Sequence, residues 1–214
     1  MKRSKESLIA FETRVEESWA AGNLPCLLHL AGGEEEILLD IFHNYKPGDW
    51  TFGTHRSHYL ALLAGMSEEQ VWDAIHRGDS MFLFSREHRF YSSSILAGCC
   101  GIGVGVAVAI KARGGDEHVR VFLGDGSEEQ GVFYESVLYA FGHNLPISFH
   151  ILDNDRQVDT PKEVRRGMPW GILDSCPNVF RHHYTPNYPH GGSHTKGINF
   201  KDTTKDWATI IPKL

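Results

Sequence analysis

Long apolar runs, paired cysteines and clustered basic charge are all scarce in this chain of 214 residues, and each scarcity closes off a class of function. No stretch approaches the roughly 18 consecutive apolar residues of a membrane span. The start, MKRSKESLIAFETRVEESWAAG, begins basic, but Glu6, Glu12, Glu16 and Glu17 interrupt any apolar core of a signal peptide. A membrane is therefore not an expected partner. Lys and Arg number 21 against 27 Asp and Glu, a formal charge of −6. Without a basic stripe to neutralise phosphates, nucleic acid is not an expected partner either. The four cysteines, Cys26, Cys99, Cys100 and Cys176, lack CxxC spacing, which suits a reduced, cytoplasmic protein with buried thiols. Thirteen histidines are many, yet they show no HExxH or Cys/His finger spacing, so no structural zinc is expected.

What remains is an ordinary globular composition, 41% apolar and 22% charged, with room for one domain and one core over residues 1–214. Leu8, Phe11, Val15 and Trp19 recur at helical spacing between Ser4 as N-cap and Gly22 as stop, predicting a helix over about 4–21. A second helix is expected over about 34–42, before a turn at Lys46–Trp50 where Pro47 and Gly48 supply the turn chemistry. Ser67 and Gln70 form a capping box for a helix running to about His76. Ser94 to Ala112 is almost entirely small and apolar. Gly98, Gly101, Gly103 and Gly105 would weaken an exposed helix, so a buried, closely packed one is expected, in the core or at a subunit interface. The tail from about 175 to 214, rich in His, Pro, Gly, Tyr and Asn, reads as loop with one strand near Val179–Tyr184.

The middle of the chain is the most informative. His118–Leu123 reads as a buried strand broken by Gly124-Asp125-Gly126. Glu128 to about Gly142 reads as a helix, and ISFHIL as a strand ending at Asp153-Asn154-Asp155. Strand, helix, strand at this spacing is a βαβ unit, hence an α/β protein with a mostly parallel sheet flanked by helices. Ligands bind beyond the carboxyl ends of such strands, and the crossover brings Asp125 and Asn154 to the same edge. A carboxylate and an amide oxygen are hard ligands that suit magnesium, whose remaining positions go to water and phosphate oxygens. Gly124 and Gly126 let the backbone approach an anion, and the helix after Gly126 aims its free amides at the same place. A lone Gly-Asp-Gly is as readily a tight turn. Its spacing to Asn154 across a strand–helix–strand unit favours a magnesium–diphosphate site.

At these residues a family resemblance enters. GDGSEEQGVFYESVLYAFGHNLPISFHILDND resembles the thiamine-diphosphate signature of alpha subunits of the 2-oxoacid dehydrogenase decarboxylating component. KPGDWTFGTHRSHYLALLAG is similar to the same family's "PGDW…YR-x-H" segment, and the resemblance covers about residues 30–160. It implies a thiamine-diphosphate-binding fold. Asp125, Asn154 and the backbone carbonyl of Arg156 are implied as magnesium ligands, and Gly124, Gly126 and Ser127 as the turn that cradles the diphosphate. Arg56 matches an arginine that clamps the diphosphate, a role its bidentate guanidinium suits, although a surface salt bridge would also explain it. Leu96 falls near the apolar residue that wedges under the cofactor. His58 matches a histidine facing the active site, and His190 and His194 stand near a histidine-bearing loop, if they are not simply solvated. His55 replaces the family's usual tyrosine, Asp153 replaces the first residue of an Asn-Asn pair, and the tail is shorter than in the family.

The implied function is decarboxylation of a 2-oxoacid with transfer of the acyl unit, dependent on thiamine diphosphate and magnesium, with His58 and His190 as catalytic candidates. The resemblance also implies a separate beta-type subunit carrying the pyrimidine-side domain and its activating glutamate, in an alpha2beta2 assembly. A split transketolase-like ketol transferase or carboligase half, acting on a sugar, is the alternative within enzymes. A regulatory subunit that keeps only the fold is another. THRSHY favours the dehydrogenase side, and the intact Asp125 and Asn154 speak against a degenerate copy.

Overall fold

A computed structural model describes residues 3–25, 27–157, 160–165 and 171–192. Helix α1 (Lys5–Ala20) starts where the Ser4 hydroxyl accepts the Ser7 amide and the Ser7 hydroxyl accepts the Ser4 amide, a closed capping box. Gly22, at φ +77, takes the left-handed turn that ends it. Leu8, Phe11 and Val15 are buried as the spacing requires, but so are Glu12 and Glu16. The short β1 (His29–Ala31) and helix α2 (Glu35–Ile41) lead to β2 (Trp50–Gly53). Helices α3 (His58–Leu63) and α4 (Glu68–His76) follow, the second opened by the expected Ser67–Gln70 capping box. Then come β3 (Phe84–Ser85), β4 (Phe90–Ser92), α5 (Gly98–Ala112), β5 (Val119–Gly124), α6 (Gly131–Gly142) and β6 (Ile147–Asp153). The described tail contributes β7 (Arg156–Gln157), β8 (Thr160–Pro161), β9 (Val179–His183) and β10 (His190–Gly192).

Six strands form one sheet in the order β3-β4-β2-β5-β6-β9, and every neighbouring pair is parallel except β3 with β4. The β5–α6–β6 crossover is the predicted βαβ unit, with Val119 opposite Ile147 and Gly124 opposite Leu152. One detail differs from expectation. Residues Asp125–Glu129 form a 3-10 turn, and the α-helix begins only at Gly131, so the diphosphate-side turn is not itself the first turn of the helix. The strand near Val179 is present and extends the sheet beside β6.

Helices cover both sheet faces. α1 to α4 pack with Phe90, Phe122 and Leu152 on one side. α5 and α6 pack with Phe52, Val121, Phe149 and Ile151 on the other. In α5, Cys99, Cys100, Gly103, Ala107 and Ile110 turn inward. A Cβ on Gly103 would stand 2.7 Å from a Val121 methyl, so glycine lets this helix lie directly on the sheet. The other side of α5, with Gly101, Ile102, Gly105 and Val108, is bare. The expected burial of this helix therefore holds for one side only. Burial pushes the Cys99 and Cys100 thiols up to about 12, and these two and the half-buried Cys176 are unpaired with one another. Cys26 lies outside the described residues. Among the described residues no helix is long and apolar enough to cross a membrane.

Candidate active site

Five parallel strands end at one edge of the sheet, and the residues just beyond them line a single cavity. Thr54, His55 and Arg56 follow β2, and residues 93–96 follow β4. Asp125, Gly126 and Ser127 follow β5, while Asn154, Arg156 and Gln157 come from the end of β6 and beyond. Tyr184 follows β9, and Glu34, just before α2, closes the wall. This is where a parallel sheet places ligands.

Asp125 is 1% exposed, and its Oδ2 accepts a hydrogen bond from Arg165 Nη2 at 2.6 Å. Burial pushes this carboxyl up and the Arg165 charge pulls it down. Asp153 nearby raises it further, leaving it at about 6. Asn154 Oδ1 accepts the Arg156 amide at 3.1 Å, and Nδ2 donates to the Tyr184 hydroxyl at 3.1 Å. Asp153, beside it, is buried but stays ionised. Burial opposes the charge, yet Lys162 Nζ at 2.6 Å, the Asp155 amide and Arg181 Nη1 at 2.7 Å hold its carboxyl below the usual range. Arg181 also bonds Glu128 and Asp174, tying the 3-10 turn after β5 to β9. Losing one member of so buried a charge network leaves the others uncompensated.

The remaining sequence-predicted residues divide sharply. Arg56 lines the cavity and donates Nη1 to the carbonyls of Leu30 at 2.7 Å and Gly191 at 2.5 Å, so it is a braced guanidinium and not a surface ion pair. Leu96 lines the cavity, together with its more exposed neighbour Ile95. His58 does not reach the cavity. It is fully buried, with Nδ1 3.1 Å from Glu12 Oε1 and Nε2 2.9 Å from Ser80 Oγ, and the Ala31 amide donates to the other Glu12 oxygen. It braces α1 against α3, away from the cavity lining where the sequence reading expected it. His190 stands behind Arg56 and does not line the cavity, with Nδ1 3.0 Å from the Gly32 carbonyl. Burial and the Arg56 charge hold its imidazole well below the ordinary value, hence neutral. His194 lies outside the described residues.

The donor set fits a hard divalent cation beside an anion. Among the described residues no cluster of three His, Cys, Asp or Glu side chains could hold a metal, so an ion here needs amide, carbonyl and ligand oxygens. Asp125 Oδ2 is paired with the Arg165 guanidinium, so a cation bound there would take that partner's place. Beyond Gly124 the space for a Cβ is open, while a Cβ on Gly126 would stand 2.6 Å from Gln157 Cγ. Glycine is thus required at the second position by packing.

The family described as dehydrogenase E1 component matches residues 3–169, most of the chain. The chain belongs to that family. Among its relatives, the alpha subunit of acetoin:2,6-dichlorophenolindophenol oxidoreductase from Cupriavidus necator is 29% identical over 171 residues, covering 75% of this chain and 51% of that one. The pyruvate dehydrogenase E1 component subunit alpha of Rhizobium meliloti is 30% identical over 168 residues, covering 73% and 48%. The chain spans about half the length of the curated relatives it matches.

Around this cavity, sequence reasoning did not single out Glu34, Arg165 or Tyr184. Glu34 looks like an ordinary helix-start carboxylate, yet it is 2% exposed, and burial pushes it up to about 8 against the Tyr184 hydroxyl and the Arg56 charge. Arg165 and Tyr184 sit 40 and 30 positions from the side chains they bond, a separation at which sequence carries no signal.

Proposed function

We propose that this chain is the diphosphate-binding, alpha-type part of an enzyme that uses thiamine diphosphate and magnesium to decarboxylate a 2-oxoacid and pass on the acyl unit. The observation that carries the reading is the convergence of Asp125 and Asn154, from the ends of adjacent parallel strands, on one cavity. Asp125, Asn154 and the Arg156 carbonyl would hold magnesium. Gly124, Gly126, Ser127 and Arg56 would hold the diphosphate, and Leu96 with Ile95 would support the rings. The bound cofactor supplies the electron sink that decarboxylation requires. The chain's own residues bind and orient it. In this reading His58 and His190 are positioning residues, one bracing α1 and the other backing Arg56. A beta-type subunit supplies the pyrimidine side, in an alpha2beta2 assembly. The relatives' names as alpha subunits and the bare apolar side of α5 and α6 support a partner.

The test is calorimetry of the chain with thiamine diphosphate, with and without magnesium, alone and with a beta-type subunit. Binding should require magnesium and be lost in Asp125→Ala. A carboxyl must shed its proton to bind a metal, and Asp125 does so at about 6. Apparent magnesium affinity should therefore fall about tenfold for each pH unit below that value. Equal binding by wild type and Asp125→Ala would sink the reading.

A further inference from the structure

We propose that Tyr184 is a positioning residue for the metal site, its hydroxyl oxygen holding the NH2 end of the Asn154 carboxamide so that, together with the Arg156 amide, it fixes which end faces the cavity; this rests on the magnesium–diphosphate reading above. A carboxamide has two ends of nearly equal shape and opposite hydrogen-bonding character, so its orientation must be set by its partners. At Asn154 there are two. The Arg156 amide is a donor 3.1 Å from Oδ1, which can only be an acceptor. The Tyr184 oxygen is 3.1 Å from Nδ2, which can only donate. In the flipped amide the NH2 group would meet the Arg156 N–H, donor against donor. The unflipped carbonyl keeps a second lone pair for a cation, whereas a flipped NH2 would turn positive partial charge toward it.

Tyr184 is placed to reinforce that choice. Its backbone amide donates to the Asp153 carbonyl at 3.1 Å, pinning it to the end of β6 next to Asn154. Its hydroxyl oxygen accepts from Asn154 Nδ2 and so holds the NH2 end of the carboxamide. Nothing in a resemblance to the thiamine motif assigns Tyr184 this task, because it follows Asn154 by 30 positions.

Two measurements test the inference, and the first needs no cofactor. In 15N-labelled, metal-free protein, Tyr184→Phe should speed exchange of the Asn154 side-chain amide protons about tenfold, as expected for loss of one hydrogen bond. In calorimetry with thiamine diphosphate, the same variant should raise the magnesium concentration for half-maximal binding about threefold to tenfold. Repeating the substitution in Asn154→Asp, whose two oxygens are equivalent, should not weaken magnesium binding, because no orientation remains to be fixed. An unchanged magnesium requirement in Tyr184→Phe, or the same loss in both backgrounds, overturns the proposal and leaves the cofactor reading standing. Faster amide exchange in Tyr184→Phe, with no magnesium-dependent binding by wild type, would sink the cofactor reading and retain the Tyr184 contact.

Discussion

The two faces of the sheet are built from similar numbers of apolar side chains but finished differently. On the α1–α4 face the chain covers its own core. Phe11 packs edge-on against His58 and Trp72, and Glu12, His58 and Ser80 form a hydrogen-bonded strut beneath it. Among the described residues none of these four helices carries a large, strongly exposed apolar side chain. On the α5–α6 face, Ile102, Val108, Val132, Leu138, Tyr139 and Phe141 all stand exposed. Gly101 and Gly105 face open space between them, where a neighbouring backbone could come close. A patch of this kind suits the partner surface proposed above. Both sheet faces carry a buried core, but the helices over the second leave an apolar outer side bare.

The largest expected effect separates the two faces by stability. Phe11→Ala, on the closed side, should cost about 3–5 kcal/mol of unfolding free energy, the usual loss for a buried phenylalanine. Phe141→Ala, at 54% exposure on α6, should change the isolated chain by less than about 0.5 kcal/mol. Urea unfolding of the two variants side by side measures the contrast. Similar losses at both positions would mean that the α6 surface is already covered in solution.

A smaller effect tests what covers it. Leu138→Glu puts a charge in the centre of the bare side and should weaken association, with a second copy or with a beta-type subunit, by about 2 kcal/mol. Sedimentation at several concentrations would show the shift toward lighter species, with the unfolding midpoint of the chain unmoved. A charge reversal on the closed face, Glu36→Lys, should leave the sedimentation profile as it was.

The contrast also explains what sequence alone could reveal. The β5–α6–β6 unit was legible because it is local: a buried strand, a glycine turn and an amphipathic helix follow one another within 35 residues, Val119 to Asp153. The placement of Asp125 and Asn154 on one cavity was legible for the same reason. The central β2 was not recognised, since Trp50-Thr51-Phe52-Gly53 is too short to show alternation and owes its burial to β4 and β5 on either side. Glu12 and Glu16 read as breaks in an apolar run, because the partner that makes Glu12 tolerable, His58, is 46 positions away. His58 follows Arg56 by two positions in sequence, but helix α3 turns it into the core against Glu12 and Ser80. The burial expected for Ser94–Ala112 followed from composition, which cannot tell a face packed on its own sheet from one kept for a neighbour.

The smallest effect reverses sign between the two regions. Ala97, which precedes α5, is held at φ 54 and ψ 12, a left-handed conformation that costs an L-residue about 1–2 kcal/mol. Glycine adopts it freely, at an entropic cost in the unfolded chain of about 0.4–1 kcal/mol. Ala97→Gly should therefore stabilise the protein slightly, by about 0.5 kcal/mol. Ala10, exposed in the middle of α1, is in regular helix, and Ala10→Gly there should destabilise by about 1 kcal/mol. Thermal unfolding of the two variants should move the midpoint in opposite directions. If both fall, the left-handed turn before α5 is not strained, and Leu96 and Ile95 reach the cavity from a relaxed backbone.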